Sequence, residues 1–130
     1  MAKITVEVVS TPAELARGLM YRKHMDKDAG MLFDFTTPKE TSFWGQNTYI
    51  PLDVAFIGED KRIQEIRNIV PLSTRMIHSS DKCKYALEVN AGYFEDNKIK
   101  EGDFINIKDL ENKSAHSKVQ KEITFDAIAD

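Results

Sequence analysis

Ser42-Phe-Trp-Gly-Gln-Asn-Thr-Tyr-Ile-Pro-Leu-Asp-Val-Ala-Phe-Ile57 combines features that seldom share one stretch of chain. It holds the only Trp, the polar run Gln46-Asn47-Thr48, a proline, and an acidic residue inside an apolar segment. The pattern reads as two strands joined or kinked near Tyr49-Ile-Pro51. Pro51 has no amide hydrogen for a ladder, so it belongs at a strand start, bulge or edge. Beyond it, Leu52, Val54 and Phe56 share one face, and Asp53, Ala55 and Ile57 share the other.

On the N-terminal side, Ile4, Val6 and Val8 alternate with Thr5 and Glu7, which predicts a strand with one wet face. Thr11-Pro-Ala-Glu14 completes a capping box with Pro at the first helical position. The helix it opens is expected to run through Leu15, Leu19 and Met20. Gly18 then either brings another backbone close or marks the fraying end. Arg17, Tyr21 and Arg22 cluster at the helix C-terminal end, where positive charge is favourable. Gly30 to Phe35 reads as a short strand with Met31, Phe33 and Phe35 on one face, and Thr36 to Thr41 carries turn chemistry.

On the C-terminal side, Gly58 to Lys61 predicts a hairpin turn into Arg62–Val70. Ile63, Ile66 and Ile69 are spaced by three, which suits neither clean period, and the β-branched content points to a bulged strand. Pro71 to Lys82 is a long polar loop, a length usually kept for function or mobility. Cys83 to Asn90 is a strand with Tyr85, Leu87 and Val89 on one face and Ala86 and Glu88 on the other. Ala91 to Asn97 has room for one helical turn, and Phe104 to Ile107 is a further strand. Residues 1–110 make one domain. Residues 111–130 form a C-terminal extension, polar over Glu111–Lys118 and read as a short helix over Val119–Ile128.

The chain has 130 residues, 42% apolar and 30% charged, with a net charge of −3. That is the balance of one globular domain, and it gives no electrostatic footprint for nucleic acid. No apolar run is long enough for a membrane span and no signal-peptide core is present. A soluble protein is expected, either cytoplasmic or exported with its leader removed. Cys83 is the only cysteine, so no internal disulfide forms; it reads as an ordinary strand-start residue with no visible base nearby. His24, His78 and His116 lie in three separate segments without ligand spacing, so neither a metal nor another cofactor is expected. No nucleophile elbow and no glycine-rich phosphate loop occur.

The pieces Arg17-Gly-Leu-Met20, Gly30-Met-Leu-Phe33, Phe43-Trp44, Asn47-Thr48, Ile50-Pro-Leu-Asp53, Phe56-Ile57, Leu87-Glu88, Ala91-Gly92 and Gly102-Asp103 together resemble the domain-of-unknown-function 192 family. The resemblance covers about residues 4 to 107. It implies an α+β, mainly β fold: a compact, mostly antiparallel, barrel-like sheet with one or two short helices. It implies no established reaction. The family pattern usually has a Met and a Lys where Gly45 and Gln46 stand here, which removes bulk and one positive charge beside the presumed site.

Two readings of the polar residues follow. In one, Arg17, Arg22, Trp44, Asn47, Thr48, Asp53 and Glu88 line a cleft that binds a small polar or anionic ligand without catalysis. Trp44 stacks, the arginines pair charge, and Asn47 and Thr48 donate hydrogen bonds. Gly45 would open room there or admit a ligand to the backbone. In the other, Asp53 or Glu88 is a buried general acid or base of a hydrolase. The bland counterpart of both is an ion-pair network that pins the helix to the sheet, with Trp44 as core. A third reading is a protein-interaction module acting through the tail and the Pro71–Lys82 loop.

Overall fold

The computed structural model of the chain describes residues 2–109 and 119–128. The order of elements is β1 (Lys3–Val9), α1 (Pro12–Arg17), β2 (Ala29–Lys39), β3 (Ser42–Phe43), β4 (Leu52–Ile57), β5 (Ile63–Ile69), β6 (Ile77–His78), β7 (Cys83–Asn90), α2 (Tyr93–Asp96), β8 (Phe104–Asp109) and β9 (Gln120–Asp126). Seven strands form one sheet in the order β5-β4-β7-β2-β1-β9-β8, and β3 pairs with β6 in a two-stranded ribbon. Among the described residues only β1 and β2 run parallel, joined over α1; the other pairs are antiparallel. The sheet curls until its outer strands meet at one end. The Ile63 amide donates to the Asp103 carbonyl at 2.8 Å and the Ile105 amide to Lys61 at 2.9 Å. The protein is mainly β with two short helices, a half-barrel.

Alternation along the strands builds two cores. Ile4, Val6, Ala55, Ile57, Leu87 and Val89 point into the curl, joined by Tyr93 and Phe94 of α2. Met31, Phe33, Leu52, Val54 and Phe56 point to the convex face, where Leu19 and half-buried Leu15 and Phe43 cover them. Burying a side chain of this size is worth roughly 1.5–3 kcal/mol, so the middle strands are held from both sides.

The three-residue spacing in β5 has a structural cause. Ile57 faces Ile63 while Phe56 faces Glu65, so Gln64 is an extra residue in the ladder. That bulge resets the parity, placing both Ile63 and Ile66 toward the inner core and Ile69 toward the outer one.

The structure corrects three expectations. The helix ends at Arg17, with Gly18 as its C-cap at φ +51°, so Leu19 and Met20 lie beyond it. Strand β2 continues to Lys39 through the segment read as a turn; an Asx contact (Thr36 N–H to Asp34 Oδ1, 2.9 Å) breaks its register without ending it. The helix expected over 119–128 is strand β9, inserted between β1 and β8. Its strand-period pair, Ile123 and Phe125, packs into the inner core, whereas Val119 and Ala127 of the helical spacing are exposed. The polar segment 111–118 lies outside the described residues. No helix among the described residues is long and apolar enough to cross a membrane.

Candidate functional site

The opening stretch folds as a strand, a polar turn and a second strand, and the turn is bound on two sides. Toward the 70–73 segment, the Gly45 amide donates to Ser73 O at 3.0 Å, and the Leu72 amide donates to Gly45 O and Thr48 O at 2.8 and 3.1 Å. A β-carbon on Gly45 would fall 1.9 Å from the Val70 carbonyl oxygen, so only glycine admits this approach. The space that the sequence reading left for a ligand beside Gly45 is therefore filled by Val70. Toward α1, the Tyr21 amide donates to Asn47 O at 2.8 Å and Asn47 Nδ2 donates to the Tyr21 hydroxyl at 3.0 Å. Asn47 adopts φ +57°, a conformation that asparagine tolerates better than most residues.

These braces hold the turn over the convex face of the sheet and leave a cleft of about 420 Å³ beneath it. One wall is the C-terminal end of α1 with Arg17 and Gly18, and the other is Ser42, Phe43, Trp44 and Thr48. The sheet supplies Phe33, Phe35 and Glu88, and Lys39 stands at the edge. Phe33 meets Phe43 edge to face, with ring centres 5.0 Å apart. Trp44 is 37% exposed, so it is a wall of the cleft and not a core residue.

The polar groups differ sharply in their surroundings. Arg17 lies over the Tyr21 ring at 5.6 Å, Lys39 lies over the Phe35 ring at 5.1 Å, and neither is in an ion pair among the described residues. Glu88 is 4% exposed and has neither a hydrogen bond nor an ion pair among the described residues. Its Oε1 lies 3.7 Å from where a β-carbon on Gly18 would stand. Burial with nothing to offset it pushes the carboxyl up to about 8, so it is largely uncharged at neutral pH.

Arg17, Trp44, Thr48 and Glu88 thus come together in the cleft. Arg22, Asp53 and Asn47 have other places. Arg22 grips Glu7 of β1 through two hydrogen bonds of 2.8 Å, and that hydrogen bonding holds its guanidinium above its ordinary value. Asp53 accepts from Asn68 Nδ2 at 3.0 Å and from the Gly92 amide at 2.9 Å, tying β4 to β5 and to the start of α2. Asn47 is the brace just described, and Gln46 stands outside the cleft lining. Lys39 and the Phe33–Phe35–Phe43 surface were not singled out from the sequence. Lys39 sits in a segment with turn composition, and the phenylalanines have ordinary core alternation.

Other candidate groups are accounted for locally. Cys83 is fully buried and desolvation raises its thiol to about 11, which makes it unreactive. His78 Nδ1 and Ser42 Oγ share a hydrogen bond of 2.6 Å across the β3–β6 ribbon, and His24 meets Asp26 at 3.1 Å on the surface. His116 lies outside the described residues. No cluster of three potential metal ligands exists among the described residues.

The family model of DUF192, described as "Uncharacterized ACR", matches residues 1–107. The chain belongs to the DUF192 family. The match spans β1 through most of β8, and so includes every residue of the cleft. No curated protein matches the chain. Two crystal structures resemble this DUF192 domain closely. One is a "putative transcription regulator" from Sinorhizobium meliloti 1021, 42% identical over 78% of this chain and 79% of that one, with a TM-score of 0.76. The other is a protein of unknown function from Novosphingobium aromaticivorans DSM 12444, 37% identical over 76% and 71% of the two chains, with a TM-score of 0.74.

Proposed function

We propose that this DUF192 domain is a non-catalytic binding module, and that the cleft between α1 and the Trp44 turn takes a small polar or anionic ligand. The observation that carries this reading is the state of Arg17. It faces a cleft of about 420 Å³ with no carboxylate paired to it among the described residues, next to a Trp that is left partly bare. Arginine and tryptophan exposed together in a concave site are the groups that bind anionic and planar ligands best. Lys39 adds a second cation at the edge, and the phenylalanines below favour a ligand with an apolar body. Screening small organic anions by thermal shift tests this. Binders should raise the melting temperature of the native protein, and Arg17→Ala or Trp44→Ala should weaken them about tenfold or more, the scale of one lost anchor. Equal binding by both variants would place the ligand elsewhere and refute the reading.

One observation favours a second reading, a hydrolase with Glu88 as general acid or base. A carboxyl held near 8 beside a cleft is suited to proton transfer at neutral pH. Asp53 is unsuited to that role, because both its oxygens accept structural hydrogen bonds. Turnover of an ester or amide panel that disappears in Glu88→Gln while ligand binding persists would favour this reading over the first.

A further inference from the structure

Glu88 is hard to explain as a structural residue. It stands on β7 opposite Met31 of β2 and Val54 of β4, so both flanking strands offer it hydrocarbon. Asp103, another buried carboxylate, shows what such a group normally has: it accepts from the Lys100 amide at 3.0 Å and from the Ile128 amide at 3.3 Å. Glu88 has no such partner among the described residues, and its carboxyl is not sealed in the core but lines the cleft. Of the charged groups on the elements around it, Arg17 and Lys39 line the cleft; Glu14 is held in the α1 capping box, Asp34 accepts from the Thr36 amide, Asp53 accepts from Asn68 and Gly92, and Lys84 donates to the Tyr85 hydroxyl. β4 presents only Leu52, Val54 and Phe56 on that face, and His78 of β6 is turned to Ser42. Neither cation reaches Glu88, since no ion pair forms. The cleft lining therefore carries two kinds of charged or ionisable group: the cations Arg17 and Lys39, and a carboxyl that lies near the bare backbone of Gly18 and the Phe33 ring.

Resting on the binding reading above, we infer that Glu88 is an uncharged hydrogen-bond donor that selects the ligand, which is an amphipathic anion. Its charged end lies at Arg17 and Lys39, its apolar body lies against the phenylalanines and Trp44, and its far end offers an oxygen acceptor to Glu88. As a neutral acid, Glu88 keeps one O–H to donate and finds no acceptor among the described residues. A carbonyl or ether oxygen of the ligand supplies one without adding charge to an apolar site. An ammonium at that position would require ionising Glu88 against its surroundings, below a rim that already repels cations. Gly18 keeps the approach open: a β-carbon there would sit 3.2 Å from the Phe33 ring and beside the carboxyl, and its φ of +51° favours glycine in any case.

Three probes of nearly equal size separate the possibilities: 4-acetylbenzoate, 4-isopropylbenzoate and 4-(aminomethyl)benzoate. Each carries the same carboxylate and ring, and they differ at the far end as acceptor, hydrocarbon and cation. Calorimetric titration of the full chain between pH 6 and 9 should rank the acetyl compound at least about tenfold tighter than the other two, the worth of one well-placed hydrogen bond to a buried group. Its affinity should be flat to about pH 7, halve by about pH 8 and be roughly tenfold lower by pH 9, as the protonated, binding-competent fraction shrinks. Glu88→Gln, which keeps an N–H donor, should retain the acetyl preference and lose the pH dependence. Glu88→Leu should lose the preference and bind the isopropyl compound better. Tightest binding of the aminomethyl compound, abolished in Glu88→Gln, would make Glu88 a carboxylate partner and overturn the inference. Equal affinities for all three, unchanged in both variants but lost in Arg17→Ala, would overturn it while leaving the cleft reading intact. If none of the three binds, the inference and the cleft reading fall together.

Discussion

Glu88 sets a pH signature for the fold even with no ligand present. Its folded value of about 8 lies above the ordinary 4.5, so between those values the native state holds a proton that the unfolded chain has released. Stability therefore falls as pH rises through that window, by up to about 1.4 kcal/mol per pH unit, and levels off above it. Glu88→Gln carries no such proton. Denaturant unfolding at pH 5, 7 and 9 should show the variant gaining on the native protein as pH rises, by a few kcal/mol across the range. Parallel pH profiles for the two proteins would show that the carboxyl ionises freely in the native state. Gly45 makes the opposite kind of prediction at the same scale. Its missing side chain is replaced by the Val70 carbonyl, so Gly45→Ala must push the 44–48 turn off the 70–73 segment. A loss of about 1–3 kcal/mol in chemical denaturation is expected, the cost of overpacking. A neutral Gly45→Ala would mean that the two segments separate easily.

Most strands were readable in the sequence because alternation is a local signal. β1, β4 and β7 each place hydrophobic residues at period two against one of the two cores. Helix α1 was readable at its start, since Thr11 and Glu14 form both capping-box hydrogen bonds, at 3.3 and 3.2 Å. Its end was not, because Gly18 at a positive φ leaves the apolar residues beyond it looking helical. The unreadable parts share a physical cause, which is dependence on a distant partner. β9 is a strand because β1 and β8 leave a slot for it, and Ile123 and Phe125 carry that information only once the slot exists. Arg22 looked like a cleft residue until Glu7 of β1 was placed beside it. Trp44, Thr48, Arg17 and Glu88 were legible as chemically odd residues in otherwise apolar elements. Lys39 was not, because its strand continues only through a break in register.

At the scale of the molecule, the half-barrel depends on its last strand. Among the described residues, β9 supplies the only ladder linking β8 to the rest of the sheet, apart from the contact of Phe104 with Arg62 at the curl. Ending the chain at residue 110 would bare the inner core at Ile4, Val6 and Ile105, strip β8 of its ladder and leave β1 as a sheet edge paired only with β2. Such a truncation should lose its cooperative unfolding transition, with amide exchange increasing in β1 as well as β8. Native-like exchange in β1 would show that the first five strands of the sheet order hold without the tail. The cleft lies on the opposite, convex face, roofed by the turn that the 42–57 stretch opens, and it depends on α1, β2 and β7. The described residues thus form a sheet with a buried inner core and an outer face with a recess whose lining includes Arg17, Lys39, Trp44 and Glu88. Because Trp44 is the only tryptophan and forms a wall of that recess, its fluorescence reports occupancy directly. Titrating 4-acetylbenzoate into the native protein should give a saturable change in Trp44 emission that is absent when Arg17 and Lys39 are both replaced by alanine. An emission that stays constant at every concentration, or a saturable change that survives the double replacement, would contradict the assignment of the cleft as an anion-binding site.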